Sequence, residues 1–401
     1  MADAFIFDAV RTPRGAGSDR GSLCGVAPVE LLKTLIDAVR ERNGLDDGGI
    51  DDFVLGCVTQ VGEQGGNIAK VAALYSGLPA SVPGITINRY CTSGLDACNY
   101  AAMKILTGQD DFVLAGGVES MSRVPMLSDK GSFYTEPEMI KAAQFVPMGL
   151  AADLIASLDG IGREECDEYA VRSQRRAAEA QESNAFSRSL IGVNDPQTRE
   201  TILEDESVRG SITTEKLATF EPLFADIGRQ VYEPVFKAAF PGLAEMRYVH
   251  HVGNSPGIVD GASLVIVGSE TSAIDYGLKA RAKIRAISNV SDNELLALTG
   301  GITAAMDVLD RAGMDYADID LVEFNEAFAS TSIKFVRDTG WDENQVNVNG
   351  GAIALGHAMG ATGASLIGTV LDELERRDLS TGLVAVSGAA GIGAATIIER
   401  V

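Results

Sequence analysis

The chain states one structural plan twice, and that repetition constrains the fold more than any single motif. Residues 29–57, VELLKTLIDAVRERNGLDDGGIDDFVLGC, and residues 302–325, ITAAMDVLDRAGMDYADIDLVEFN, read alike. Each is an amphipathic helix, an acidic turn and a buried strand. Further along, each copy offers a strand running into a helix. The first is ITINRYCTSGLDACNYAAMKIL; the second is VNVNGGAIALGHAMGATGASLIGTVLDEL. Another strand follows each helix, DFVLAGGVES from residue 111 and GLVAVSGAAG from residue 382. The closing strand AATIIER comes at once in the second copy, while its counterpart ASLVIVGS waits until residue 262. Residues 119–250 therefore interrupt the first copy. They are expected to form loops, with FVPMGLAADLIA among them, and one long helix, REECDEYAVRSQRRAAEAQESNA. Strands alternating with helices imply mixed sheets covered by helices. Two copies packed together predict a duplicated, layered α/β/α/β/α body with a pseudo-twofold axis. Its halves are 1–118 with 251–270, and 271–401, and the inserted loop domain spans 119–250.

The repeat sets Cys91 and His357 at comparable strand-to-helix corners, where ligands of α/β folds gather. A thiol at a helix N-terminus lies among unpaired N–H groups and the positive end of the macrodipole, which favour thiolate. From this stretch alone the blander alternative, a small buried apolar filler, carries more weight, since free cysteine is among the most buried residue types. His357, in the glycine-rich stretch GGAIALGHAMGATGA, is placed to take a proton from that thiol, or to be a satisfied structural histidine. Asn325, at the end of a buried strand in EFNEAFA, suits either a donor to a substrate oxygen or a helix N-cap. The turn VSGAAGIGA offers backbone N–H groups for an oxyanion. As a dinucleotide fingerprint its glycine spacing fails, and the absence of any Gly-Lys dipeptide excludes a P-loop.

Composition narrows the partners. With 401 residues, 46% of them hydrophobic, the chain supports real cores in two or three domains. A formal charge of -23 argues against nucleic-acid binding, which needs a basic footprint. An anionic substrate would need a local basic patch. Arg163, Arg172, Arg175 and Arg176 offer one, unless they are a solvated helix face. Five cysteines without metal-ligand spacing and three histidines predict reduced thiols and no metal. No apolar run is long enough to span a membrane. The N-terminal MADAFIFDAVRTPRG carries no secretory or transit signature and the C-terminal IERV no peroxisomal address, so a cytoplasmic location is expected.

Taken together, the blocks NRYCTSGLDA, GGVESMS, GNSPGIVDGA, FNEAFA and NVNGGAIALGHAMGATGA resemble, in order and over essentially the whole length, those of the thiolase superfamily. The resemblance implies an acyl-CoA acetyltransferase or 3-ketoacyl-CoA thiolase. Cys91 would be the acyl-accepting nucleophile and His357 its base. His357, with a water held by Asn325, would bind the thioester or enolate oxygen. The N–H groups of Cys91 and Ala389 would form a second oxyanion hole. Met148 and Phe328 would line the substrate channel. CoA and acyl-CoA would be substrates, with no tightly bound cofactor and no metal. A homodimer or homotetramer is implied as well.

Three positions depart from the family pattern. Ser387 stands where the family carries a second catalytic cysteine, and Ala389 where glycine is usual. Pro256 replaces a CoA-contacting serine, leaving Ser255 one position away. A thiol titrates near about 8.5 and a hydroxyl near water's value, so making the base costs up to ~9 kcal/mol more. Acylation of Cys91 needs no second thiol, whereas carbon–carbon bond making or breaking does. Ser387 is then an engineered change, or a natural one with another base such as Glu326 recruited. Otherwise the chain transfers or hydrolyses acyl groups without carbon–carbon chemistry, or binds CoA esters without catalysis.

Overall fold

A computed structural model describes residues 3–45, 47–196 and 198–401. Met1 and Ala2 of the N-terminal stretch and Asp46 of the predicted acidic turn lie outside the described residues. The first copy runs through β1 (Phe5–Arg11), the short β2 (Gly15–Ala16), α1 (Pro28–Asn43) and β3 (Asp52–Gly56). It continues with α2 (Ile68–Tyr75), β4 (Ile85–Ile87), α3 (Ser93–Leu106) and β5 (Phe112–Ser120). The excursion carries α4 (Ser132–Thr135), α5 (Pro137–Ala142), α6 (Met148–Leu158) and α7 (Arg163–Glu182). The short β6 (Val193–Asn194) and β7 (Thr201–Ile202) follow, then α8 (Thr214–Leu217), α9 (Ala225–Ile227) and α10 (Glu233–Ala239). The chain returns as β8 (Val259–Gly268) and passes through α11 (Glu270–Tyr276). The second copy is β9 (Ala282–Ser291), α12 (Gly300–Ala312), β10 (Leu321–Phe324), α13 (Ala329–Thr339), α14 (Ala352–Leu355), α15 (Met359–Arg377), β11 (Thr381–Ser387) and β12 (Ile392–Arg400).

The strand order repeats as the sequence does. One half-sheet runs β4-β3-β5-β8-β1 and the other β10-β11-β12-β9, with parallel pairs at the β3 and β10 ends and antiparallel pairs elsewhere. The half-sheets are also joined edge to edge, through Phe5 with Lys283 and Ile6 with Ala282. Among the described residues the second copy has no strand equivalent to β4. Val346 makes only an isolated bridge to Val322. The reason lies in the next residue: the Asn347 side chain accepts from Phe324 N–H and donates to Phe324 C=O, both at 2.8 Å, occupying groups that a paired strand would use.

Period-two patterning builds five layers. On β8, Leu264 and Ile266 face α1 and α2, while Val265 and Val267 face α3 and α15. On β11, Leu383 and Ala385 face α12, while Val384 and Val386 face the central helices. Helix α1 buries Leu31, Leu32, Leu35, Ile36 and Val39, one stripe, and ends at Gly44 in the left-handed region. Helix α15 is buried on every side from Met359 to Leu374, as a helix between two sheets must be. Within the excursion, FVPMGLAADLIA is not a loop. From Met148 it is α6, with Leu150, Leu154 and Ile155 buried against Phe236 and Phe328.

The two central helices meet at their first turns. A side chain at Gly94 would lie 2.5 Å from Gly360 O, and one at Gly360 would lie 2.6 Å from Val118 O. Only glycine permits that backbone approach. Cys91 precedes Gly94 by one helical turn and His357 precedes Gly360 by one turn, so the contact sets the two corners side by side.

Candidate active site

The corner ahead of α3 is pinned from several directions. Ser93 Oγ accepts from Arg89 N–H at 2.8 Å and donates to Tyr90 O at 2.6 Å. Thr92 Oγ1 donates to Arg89 O or Asp96 Oδ2, each at 2.8 Å. Asp96 in turn receives Arg89 at 3.0 Å and Asn289 Nδ2 of β9 at 2.5 Å, locking the corner to the second half. Cys91 itself is partly exposed, one residue before the helix N-cap Thr92. Withdrawal from water, followed by the Glu119 carboxylate, pushes its thiol up to about 12. The expected thiolate is therefore absent at neutral pH: desolvation outweighs the helix N-terminus.

His357 is buried, with its backbone N–H bonded to Gly257 O at 2.9 Å. Its Nδ1 lies 2.8 Å from Thr362 Oγ1, whose hydroxyl donates to Ala358 O at 2.9 Å. That bonding assigns the proton to Nδ1 and leaves Nε2 as a lone pair. Nε2 is buried and has no hydrogen-bond partner. Burial, followed by the nearby Arg14 charge, lowers the imidazole to about 3, so it rests uncharged.

Asn325 follows β10, and its backbone N–H bonds Ala385 O at 2.9 Å. Both side-chain polar atoms are buried without a partner. It does not cap the next helix, which starts at Ala329 behind Phe328. Ser387 ends the adjacent parallel strand β11, and its Oγ accepts from Gly301 N–H in the first turn of α12 at 2.9 Å. Ala389 follows in a turn held against the Cys91 corner: a side chain at Gly388 would meet Arg89 O at 3.4 Å and Thr92 Cγ2 at 3.5 Å. Met148 and Phe328 share one apolar cluster, and Ser255 keeps a buried hydroxyl without a partner.

Other candidates are committed elsewhere. Glu326 accepts from Ser173 Oγ at 2.7 Å, Tyr169 OH at 3.0 Å and Ile353 N–H at 3.0 Å, so it ties α7 to the second half and is not a free base. The α7 arginines form no open anion patch. Arg163 pairs with Asp167 and Arg172 with Glu343, Arg175 pairs with Glu179, and Arg176 donates to Val346 O at 2.8 Å. Among the described residues no cluster of three His, Cys, Asp or Glu is placed to hold a metal. Two contributors escaped the sequence reading. Glu119 of β5 accepts from Val58, Thr59 and Gly360 N–H groups, reaching across to the start of α15. Arg14 lies buried, its charge acting on His357. A lone carboxylate closing the apolar run FVLAGGVES was the available signal for Glu119; Arg14 had none.

A duplicated α/β frame with a thiol and an uncharged imidazole at matched corners is the framework of an acyl-transfer enzyme. Family models agree: the thiolase N-terminal domain matches residues 4–231 and the thiolase C-terminal domain residues 278–400. The chain is 36% identical over 416 residues to the 3-ketoacyl-CoA thiolase of Bacillus subtilis, and 38% identical over 423 residues to the beta-ketoadipyl-CoA thiolase of Escherichia coli. Both alignments cover all of both chains. Among solved structures it superposes on the Bacillus anthracis acetyl-CoA acetyltransferase with a TM-score of 0.86 and 31% identity, covering 100% of this chain and 99% of that one. Human mitochondrial 3-ketoacyl-CoA thiolase gives 0.88 and 28%, with the same coverage. The chain belongs to the thiolase family and is a thiolase-type acyltransferase.

A thiol held near 12 makes a clear prediction for reactivity. Thiolate increases about tenfold per pH unit below that value, so Cys91 alkylation by iodoacetamide should climb continuously to pH 10. Peptide mapping of the labelled residue measures it; a plateau below pH 8 would instead mean a resting thiolate–imidazolium pair.

Proposed function

We propose that Cys91 takes the acyl group from an acyl-CoA, with His357 as its base, and passes it to an acceptor thiol. The observation that carries this is a set of buried, unpartnered atoms, His357 Nε2 and both polar atoms of Asn325, with His357 at the corner that matches the one carrying Cys91. Leaving such groups unpaired costs about 1–3 kcal/mol each, a cost a bound oxygen or water removes. The Cys91 proton passes to Nε2 as Sγ attacks the thioester carbonyl. The N–H groups of Cys91 and Ala389 receive the resulting oxyanion. Nε2–H, with a water on Asn325, holds the thioester or enolate oxygen. Met148 and Phe328, with the 119–250 excursion, wall the acyl and pantetheine channel. Ser255 offers its hydroxyl to the CoA. CoA is thus a substrate, and no resident cofactor is needed.

Carbon–carbon chemistry needs a second acid or base, and here the candidates are engaged. Ser387 Oγ serves as the partner of Gly301 N–H, a tertiary cap on α12, and Glu326 is held by Ser173, Tyr169, Ile353 and Asn347. That favours acyl transfer between thiols over efficient thiolysis. Ser387→Cys should raise 3-ketoacyl-CoA thiolysis by about 10²–10⁴-fold, the range of a positioned acid–base group. It should also cost about 1 kcal/mol in urea denaturation, because a thiol is a weaker acceptor for Gly301. No gain in thiolysis would show that the missing thiol is not limiting.

The assembly we propose is a homo-oligomer joined at the β4 edge. Strand β4 ends its sheet, and exposed Val71, Leu74 and Tyr75 of α2, Ile85 of β4, and Tyr100 and Met103 of α3 flank it. Apolar side chains along an open edge mark an interface. Leu74→Glu with Met103→Glu should reduce the mass in light scattering to one chain; an unchanged mass would place the interface elsewhere.

A further inference from the structure

We propose that His250 is a positioning residue for the substrate channel: its imidazole, fixed by Asp153, holds the Phe328 ring where the pantetheine and acyl chain pass. The inference rests on the channel reading above, in which Phe328 and Met148 are walls. His250 ends the 119–250 excursion, and both it and its neighbour His251 are fully buried. The two imidazoles take carboxylates from different helices. His250 Nδ1 lies 2.7 Å from Asp153 Oδ1 of α6, and His251 Nε2 lies 2.7 Å from Asp167 Oδ1 of α7.

His250 Nε2 accepts from Ser330 N–H at 3.4 Å, so the ring proton sits on Nδ1 and is donated to Asp153. Asp153 Oδ1 also accepts from Val249 N–H at 2.9 Å and His250 N–H at 3.2 Å, which fixes the carboxylate in turn. Held this way, the imidazole meets the Phe328 ring edge to face, with centroids 5.2 Å apart and planes at 75°. The backbone beyond Phe328 hangs on the same stretch. Ala329 N–H donates to Asn254 O at 3.2 Å, and the Asn254 side chain is held by His251 N–H at 2.9 Å and by Asp167 at 2.8 Å.

His250 also places a second ring. Its backbone O accepts from Leu223 N–H at 2.9 Å, and the next residue, Phe224, packs its ring on Phe328 at 6.2 Å and 76°. A side chain at Gly149 would lie 2.0 Å from Phe224 Cε2, so this ring rests on the backbone just after Met148. His250, Phe328, Phe224 and the Met148 turn thus form one continuous wall. An aliphatic filler at 250 would bury more cheaply, but only a ring held by directional bonds fixes the orientation of its neighbour. The consequence falls on binding of the pantetheine-bearing donor, away from the chemistry at Cys91.

Cys91 acylation is followed by intact mass in the full-length chain, over a range of acetyl-CoA concentrations and with phenyl thioacetate, a donor without pantetheine. His250→Asn keeps a donor for Asp153 and removes the ring. It should raise the half-saturating acetyl-CoA concentration at least about fivefold, the worth of one aromatic contact. Its saturating rate should stay within about threefold of wild type and its phenyl thioacetate rate within about twofold. His250→Phe, which retains a ring, should stay within about twofold in half-saturation. Phe328→Ala should raise half-saturation by itself, and adding His250→Asn to it should change the value by less than about twofold, since both act through one contact. Unchanged half-saturation in His250→Asn, equal slowing with both donors, or full additivity with Phe328→Ala would overturn the proposal. If His250→Asn does not fold, His250→Leu, which fills the space without a ring, must show the same rise or the proposal fails. Half-saturation left unchanged by Phe328→Ala would refute the channel reading, and the proposal with it.

Discussion

Backbone contact between Gly94 and Gly360 is the constraint on which the rest of the molecule depends. Two helices, one from each copy, start against each other with no side chain between them. That closeness lets a residue one turn earlier on each helix, Cys91 or His357, serve a common space. Around the contact, polar ties cross from half to half. Glu119 accepts from Gly360 N–H, Asn289 donates to Asp96, and Thr396 donates to Asn99 at 2.6 Å. The Glu119 and Thr396 ties are buried and so costly to break, and the Asn289 tie is half-buried.

Electrostatics then sets the resting state. A carboxylate lies near the thiol and a guanidinium near the imidazole, so charge separation between Cys91 and His357 is opposed from both sides. On the proposed mechanism the pair waits as thiol and imidazole, and the proton moves when a carbonyl arrives to take the developing charge. The same arrangement shields a cysteine that would otherwise alkylate or oxidise readily.

Much of this was legible in the sequence, for identifiable reasons. The repeat exposed the two corners because helix and strand periods recur in the same order, and the half-sheets follow that order except at β4, which has no partner in the second copy. Motif chemistry singled out Cys91, His357 and Asn325, and the fold buries unpartnered polar atoms of the last two. What stayed hidden was the balance of long-range terms. A helix N-terminus argues for thiolate, but the burial that defeats it is set by residues such as Glu119, distant in sequence. Glu326 looks like a free carboxylate until Ser173 and Tyr169 arrive from the excursion. Asn347 looks like a strand residue until its side chain takes the place of a strand. Ser387 announces a substitution, while its tie to Gly301 is visible only in three dimensions.

The central claim is that Cys91 is acylated while Ser387, engaged with α12, leaves the carbon–carbon step without its acid or base. Intact-protein mass after brief mixing with acetoacetyl-CoA, with and without free CoA and with the adduct mapped, tests it most directly. The account predicts an acetoacetyl mass on Cys91 that persists in the absence of CoA and is removed by it. An acetyl mass would contradict the account by showing that cleavage proceeds without the second thiol, and no adduct at all would remove Cys91 as the nucleophile.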